Sequence, residues 1–318
     1  RSLEASARAP GEGDLRGGAE PGAVQHPLVH DEIELSVLVH VLEPGLLQLT
    51  AGLLGACAAG LLGGVEVQGQ LEAHLGAAEL PGAAERFAAA SELLGRDLLA
   101  ICAGEAEGEL SDLNDTRNTQ PALFVIESLL VDGLKAQGRQ ADLVAGHSLG
   151  ELVALYAAGV FDVTTGLQLM KTRSELMAAA GGGAMTAVMG FDRAELDQLV
   201  GATEGVVIAN DNSAAQVVIS GNPEAVKSVS EQLTCKRAIP LAVSGAFHSP
   251  LMAEASAAFN LHLEGLTFKD ARFPVLSNTD PTPCSDASQL KQRLSQQMTT
   301  GVRWRETMET LTSAGVDT

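Results

Sequence analysis

From residue 84 onward the apolar positions recur with periods that regular elements explain. Phe87, Leu94 and Leu98 fall at helical spacing across residues 84–101, with Gly95 as a break. The polar stretch from Asp112 to Asn118 suits a turn and a helix cap. Pro121 is then expected in the first turn of a helix over residues 122–137, where its missing N–H costs nothing. Leu143, Val144 and Ala145 form a short apolar run of strand type, followed by helices over 151–158 and 164–177.

After Gly181-Gly182-Gly183 the pattern changes. Strands are predicted over 184–190, 205–209, 216–220 and 237–243, with helices over 193–200 and 223–233. That order, βαββαβ, is the ferredoxin-like arrangement. A helix over 250–263 follows, then a strand over 273–277, a loop over 278–284, and helices over 287–298 and 304–314. The fold class predicted is α/β: an α/β-hydrolase-like body with a parallel sheet, residues 84–183 and 245–318, carrying an inserted ferredoxin-like subdomain, residues 184–244.

Residues 1–83 follow neither period. No aromatic residue precedes Phe87 and no lysine precedes Lys135. Residues 44–65 carry no charge and approach the length of a membrane span. Six glycines, Gln48, Thr50 and the lack of flanking basic residues read against one. The segment is expected to be non-native or disordered, translated from another reading frame or from a misjoined gene. Val316-Asp317-Thr318 reads as the start of a further strand, so the C-terminus is expected to be cut.

Composition narrows the function classes. A net charge of −20 across 318 residues argues against nucleic acid and against an anionic membrane surface as partners. Cys57, Cys102, Cys235 and Cys284 are scattered and show no C-x-x-C, as reduced thiols of a cytosol-like compartment would. His26 and His30 stand beside Asp31 and Glu32, but no second cluster at ligand spacing supports a metal, and none is expected.

The chemistry centres on Gly146-His147-Ser148-Leu149-Gly150-Glu151. A serine between glycines, after a strand and before a helix, is the setting of a nucleophile elbow. The helix N-terminus then offers amides to developing negative charge. His248, before Pro250 and at the end of an element, is the best candidate base, because His147 is too close to Ser148 in sequence and His262 lies within a helix facing solvent. Arg173 offers a guanidinium that matches a carboxylate in bidentate fashion. A glycine-bounded turn, a structural histidine and a salt-bridged arginine are the alternatives for these three residues.

Five motifs occur in order: Thr119-Gln120-Pro121-Ala122-Leu123, the 146–151 elbow, Arg173 twenty-five residues beyond the serine, residues 208–221 (IANDNSAAQVVISG) and residues 244–252 (SGAFHSPLM). Together they resemble the malonyl-CoA:acyl-carrier-protein transacylases of type II fatty-acid synthesis, from about residue 84 to the end. The resemblance implies an acyltransferase working without a cofactor, with malonyl-CoA and acyl carrier protein as partners. By it Ser148 is the nucleophile, His248 the general base and Arg173 the receptor of the malonyl carboxylate. Gln120 shapes the pocket, Leu149 supplies an oxyanion-hole amide, and Asn210 and Asn212 line the cleft. Phe247 favours malonyl over α-methylated groups, and the backbone carbonyl of Gln297 orients the histidine. The family's opening F-P-G-Q-G-S-Q turn has no counterpart in residues 1–83, since Gln68-Gly69-Gln70 lacks its strand and proline. Two rival readings are a serine hydrolase or thioesterase and an impaired homologue that only binds carrier protein. Lys236-Arg237, Lys291-Arg293 and Arg303-Arg305 are the candidate docking cations for an acidic carrier.

Overall fold

A computed structural model describes residues 37–39, 80–243 and 245–315. The expectations for the N-terminal segment, apart from residues 37–39 and 80–83, and for the C-terminal strand lie outside those residues. All described residues belong to one compact unit.

The body is built around a short sheet of β1 (Val37–Val39), β2 (Val144–Gly146) and β7 (Val275–Leu276), with β2 in the middle. The β2–β7 pair is parallel, with Val144 opposite Val275 and Ala145 opposite Leu276. The edge strand β1 runs antiparallel to β2. Around the sheet lie α1 (Ala83–Leu94), α2 (Leu98–Cys102), α3 (Thr116–Ala136), α4 (Leu149–Ala157) and α5 (Val163–Ala179). The chain returns in α8 (Ala253–Glu264), α9 (Ala287–Gln296) and α10 (Trp304–Ser313). Gly95 ends α1 in the left-handed conformation, as its spacing predicts. Every residue of α4 is buried, so the helix that follows the elbow is a core element.

Pro121 departs from expectation. The helix starts earlier, at an Asp115 cap whose side chain accepts the Arg117 N–H, and Pro121 sits in its second turn. A proline there leaves the carbonyl four residues back without its helical donor. That carbonyl, on Arg117, instead accepts Arg96 Nη2 at 2.6 Å. His262 differs too: it is partly buried on α8, and its Nε2 is enclosed without a partner.

The second sheet comprises β3 (Ala184–Phe191), β4 (Val206–Ser213), β5 (Gln216–Gly221) and β6 (Cys235–Pro240), antiparallel in the order β4-β5-β3-β6. With α6 (Arg193–Ala202) and α7 (Pro223–Gln232) it forms the βαββαβ unit. Val188, Val217 and Ile219 pack under Leu196, Val226 and Val229 as a core of their own. On the other face Met185, Ala187 and Val218 meet Leu241, Val243 and Phe247. A register shift between Ile208 and Asn210 bends β4, and Ala209 and Asp211 there exchange backbone hydrogen bonds with Val302. That seam places Asn210 beside the elbow.

Glu127, on α3, is buried with one carboxylate oxygen unpartnered, and burial pushes its carboxyl up to about 8. An acid whose folded pKa is raised costs stability only once the unfolded chain ionises. Its contribution is intact below about 4.5 and is lost as pH rises through 8. The neutral variant Glu127→Gln should therefore gain in melting temperature over the parent as pH rises from 4.5 to 8. The gain corresponds to on the order of 4 kcal/mol at the upper end. A difference that does not change with pH would contradict this.

Candidate active site

Gly146 ends β2 and Ser148 begins the turn into α4. A Cβ on Gly146 would lie 2.0 Å from the Gly150 carbonyl, so the strand and helix close on each other with no room for a side chain. Gly146→Ala should lower the melting temperature, since overpacking costs about 1–3 kcal/mol or more. It should also slow acylation of Ser148 about 10²-fold, because a displacement of about 1 Å at the reacting atom has that effect. An unchanged acylation rate in this variant would show that the elbow has slack.

Ser148 sits at φ 51°, ψ −107°. Among the described residues, only Ser148 and His248 (φ 55°) combine a positive φ with a side chain. Such backbone strain persists where surrounding contacts enforce it. Here Asn278 supplies them: its Oδ1 accepts the Ser148 N–H at 2.7 Å, and its Nδ2 donates to Gly146 O at 2.6 Å. The His248 turn is held by Ser249, whose hydroxyl donates to Ala246 O at 2.6 Å and accepts from Leu251 N.

The two strained residues meet. Ser148 Oγ lies 2.8 Å from His248 Nε2, and His248 Nδ1 lies 2.9 Å from Gln297 O. A carbonyl only accepts, so Nδ1 carries the proton and Nε2 is free to take one from the serine. Burial, followed by the charge of Arg173, lowers His248 to about 3, so the imidazole is neutral at pH 7. Burial likewise lowers His147 to about 4; its Nε2 lies 2.9 Å from Asn212 Oδ1 and its ring meets Trp304 edge-on.

Arg173 projects from α5 into the same point and is 1% exposed. Its Nη1 donates to Gln120 Oε1 at 2.6 Å, and its Nη2 donates to Ser148 Oγ and Gln297 Oε1, each at 3.0 Å. Its Nε is buried without a partner. Burial brings the guanidinium down to about 10, so it remains charged at neutral pH. The structure thus brings Ser148, His248, Arg173, Gln120 and Gln297 together. The first four border a cleft of about 290 Å³ whose walls also include Leu149, Asn210 and Phe247, while Gln297 supports them from behind its wall. The Leu149 N–H, first in α4, has no carbonyl to meet within its helix. Asn212 lies one step back and bears on the cleft through His147. Sequence reasoning passed over Asn278 and Glu151. Glu151 stands inside the elbow motif, where it counted only as a helix former, and Asn278 follows β7 with no local signal.

The basic pairs sort themselves by their neighbours. Arg293, Arg303 and Arg305 are engaged by Asp280, Glu306, and Asp211 with Glu309. Lys291 donates to two backbone carbonyls, whereas Lys236 and Arg237 on β6 are exposed and form no ion pair among the described residues. Among the described residues no His, Cys, Asp and Glu cluster could hold a metal, and no helix is long and apolar enough to cross a membrane.

Residues 63–317 match the acyl transferase domain family. The chain belongs to that family. As a member of the acyl transferase family, the chain is 51% identical over 233 residues to a malonyl CoA-acyl carrier protein transacylase of Synechocystis sp., covering 73% of this chain and 78% of that one. The crystal structure of a Synechocystis malonyl-CoA:ACP transacylase superposes with a TM-score of 0.73 at 49% identity, covering 76% of this chain and 82% of the other. A malonyl-transacylase solved in complex with its type II PKS acyl-carrier protein gives 0.69 at 37% identity, with 76% and 80% covered. The mixed α/β architecture, with its parallel strand pair and its antiparallel sheet, matches the fold of these acyltransferases. The family match opens at residue 63, and so takes in residues 63–83, which composition, the lack of a period and the missing glutamine turn had set apart.

Proposed function

We propose that this acyltransferase moves the malonyl group from malonyl-CoA to the phosphopantetheine thiol of acyl carrier protein through a malonyl ester on Ser148. The observation that carries the reading is Arg173: a buried, charged guanidinium 3.0 Å from the serine oxygen, with an Nε that nothing satisfies. A buried donor without an acceptor is costly, and a substrate carboxylate is the partner that would relieve it.

In acylation His248 Nε2 takes the Ser148 proton as Oγ attacks the thioester carbonyl. The Leu149 N–H faces the developing oxyanion. Collapse breaks the C–S bond, and the proton on His248 passes to the departing coenzyme A thiolate. In the second half the carrier thiol gives its proton to His248 and attacks the ester, and Ser148 Oγ leaves and recovers that proton. No electrons change hands and no cofactor enters. A carboxylate on Arg173 also cancels part of the charge that depresses His248, so the arriving substrate raises the basicity of its own catalyst. Phe247 crowds the α-carbon and would disfavour a methyl branch by about 1–3 kcal/mol. Both substrates are water-soluble, and Cys235 and Cys284 are free thiols, which fits a bacterial cytoplasm or a plastid stroma.

The test is to mix the protein with labelled malonyl-CoA and locate the adduct by mass spectrometry. A malonyl mass on Ser148, discharged rapidly by holo acyl carrier protein and slowly by water, is the expected result. Rapid discharge by water alone would favour a hydrolase, and no adduct at all would leave only a binding protein.

A further inference from the structure

Gln297 touches all three groups at the point of reaction. Its backbone oxygen accepts His248 Nδ1, its Oε1 accepts Arg173 Nη2, and its Nε2 donates to Ser148 O at 2.9 Å. An amide side chain is nearly symmetric, so its orientation depends on which partners stand at each end. The second acceptor at the nitrogen end is Glu151 Oε2, 2.7 Å away. The same oxygen accepts the Asn278 backbone N–H at 3.2 Å, and Asn278 is the residue that clamps the elbow. Glu151 lies in the first turn of α4 and is fully buried.

We propose that Glu151 is a positioning residue for acyl transfer: buried beneath the elbow, its carboxyl fixes Gln297 and Asn278, and through them Ser148, His248 and Arg173. It touches no reacting atom. An acid in the first turn of a helix is ordinarily exposed and serves the helix dipole. This one is enclosed, and its partners are side-chain and backbone groups from two other segments. The inference rests on the reading of Ser148 as the acylated residue.

The experiment measures the single-turnover rate of Ser148 acylation by malonyl-CoA in the full chain. Glu151→Gln keeps an oxygen for the same two donors and offers its amide nitrogen toward Ser277, which is within reach of the carboxyl. That variant should acylate within about threefold of the parent. Glu151→Met removes the acceptor at similar volume, and the rate should fall about 10- to 100-fold, since misplacement of reacting groups acts on the rate. The apparent affinity for malonyl-CoA should change less than the rate. Gln297→Met breaks the same bond from the other end, and the double variant should be no slower than the slower single one.

A folded Glu151→Met protein acylating at the parental rate would overturn the proposal. So would equal impairment of the Gln and Met variants, or additive losses in the double variant. If Glu151→Met does not fold, Gln297→Glu decides, since it keeps an acceptor for Arg173 and removes the donor to Glu151: a 10- to 100-fold loss supports the proposal and a parental rate sinks it. A parent protein that forms no Ser148 adduct would instead sink the reaction itself, a result separate from all of these.

Discussion

Replacing Ser148 with alanine should abolish the malonyl-enzyme and lower turnover by about 10⁴–10⁶-fold, the range seen when a nucleophile acting as part of a unit is removed. No second nucleophile stands ready among the described residues. Cys102, Cys235 and Cys284 are absent from the cleft wall, and His147, which does reach it, is bonded to Asn212. The loss should be chemical and not structural. Among the described residues the Ser148 hydroxyl is hydrogen-bonded to His248 and Arg173, its backbone is held by Asn278, and alanine suffers the same positive φ as serine. Intact-mass analysis after exposure to malonyl-CoA, paired with a thermal melt, checks both halves. A variant that melts like the parent but still gains a malonyl mass would move the nucleophile elsewhere.

The elbow was legible because its constraint is local. Gly146 must pass against Gly150, four residues on, and the sequence therefore has to place glycines there around the serine. The βαββαβ unit was legible for a related reason: each strand and helix carries its own period, and the order of those periods names the arrangement even though β3 pairs with β5 and β6 and not with β4. Contacts between distant segments were not. Pro121 is tolerated inside α3 because an arginine from the segment before α2 covers the carbonyl it leaves bare, and nothing near residue 121 announces that. Asn278 holds the elbow from 130 residues away. Gln297 was reached only through the family pattern, because its contribution to His248 is a backbone carbonyl, which every residue has. The second sheet and strands β2 and β7 thus follow from periodicity, whereas β1 and the supports of the site do not.

The second large effect concerns selectivity. Arg173→Ala should slow acylation by malonyl-CoA about 30- to 5,000-fold, the rate equivalent of the about 2–5 kcal/mol lost when one partner of a buried, hydrogen-bonded charge pair is removed. Acetyl-CoA has no carboxylate and should be far less affected. The ratio between the two substrates is the decisive quantity, because part of any loss is common to both. Arg173 also donates to Ser148 Oγ, and its removal leaves Gln120 Oε1 and Gln297 Oε1 without their donor. Those effects act on the serine and its surroundings whatever the acyl group. The part that only malonyl-CoA can lose is the pairing of its carboxylate with a guanidinium that stays charged at neutral pH. Parallel acylation rates for the two thioesters, in parent and variant, separate these contributions. Equal losses on both would assign Arg173 to the serine alone and leave carboxylate recognition to another group.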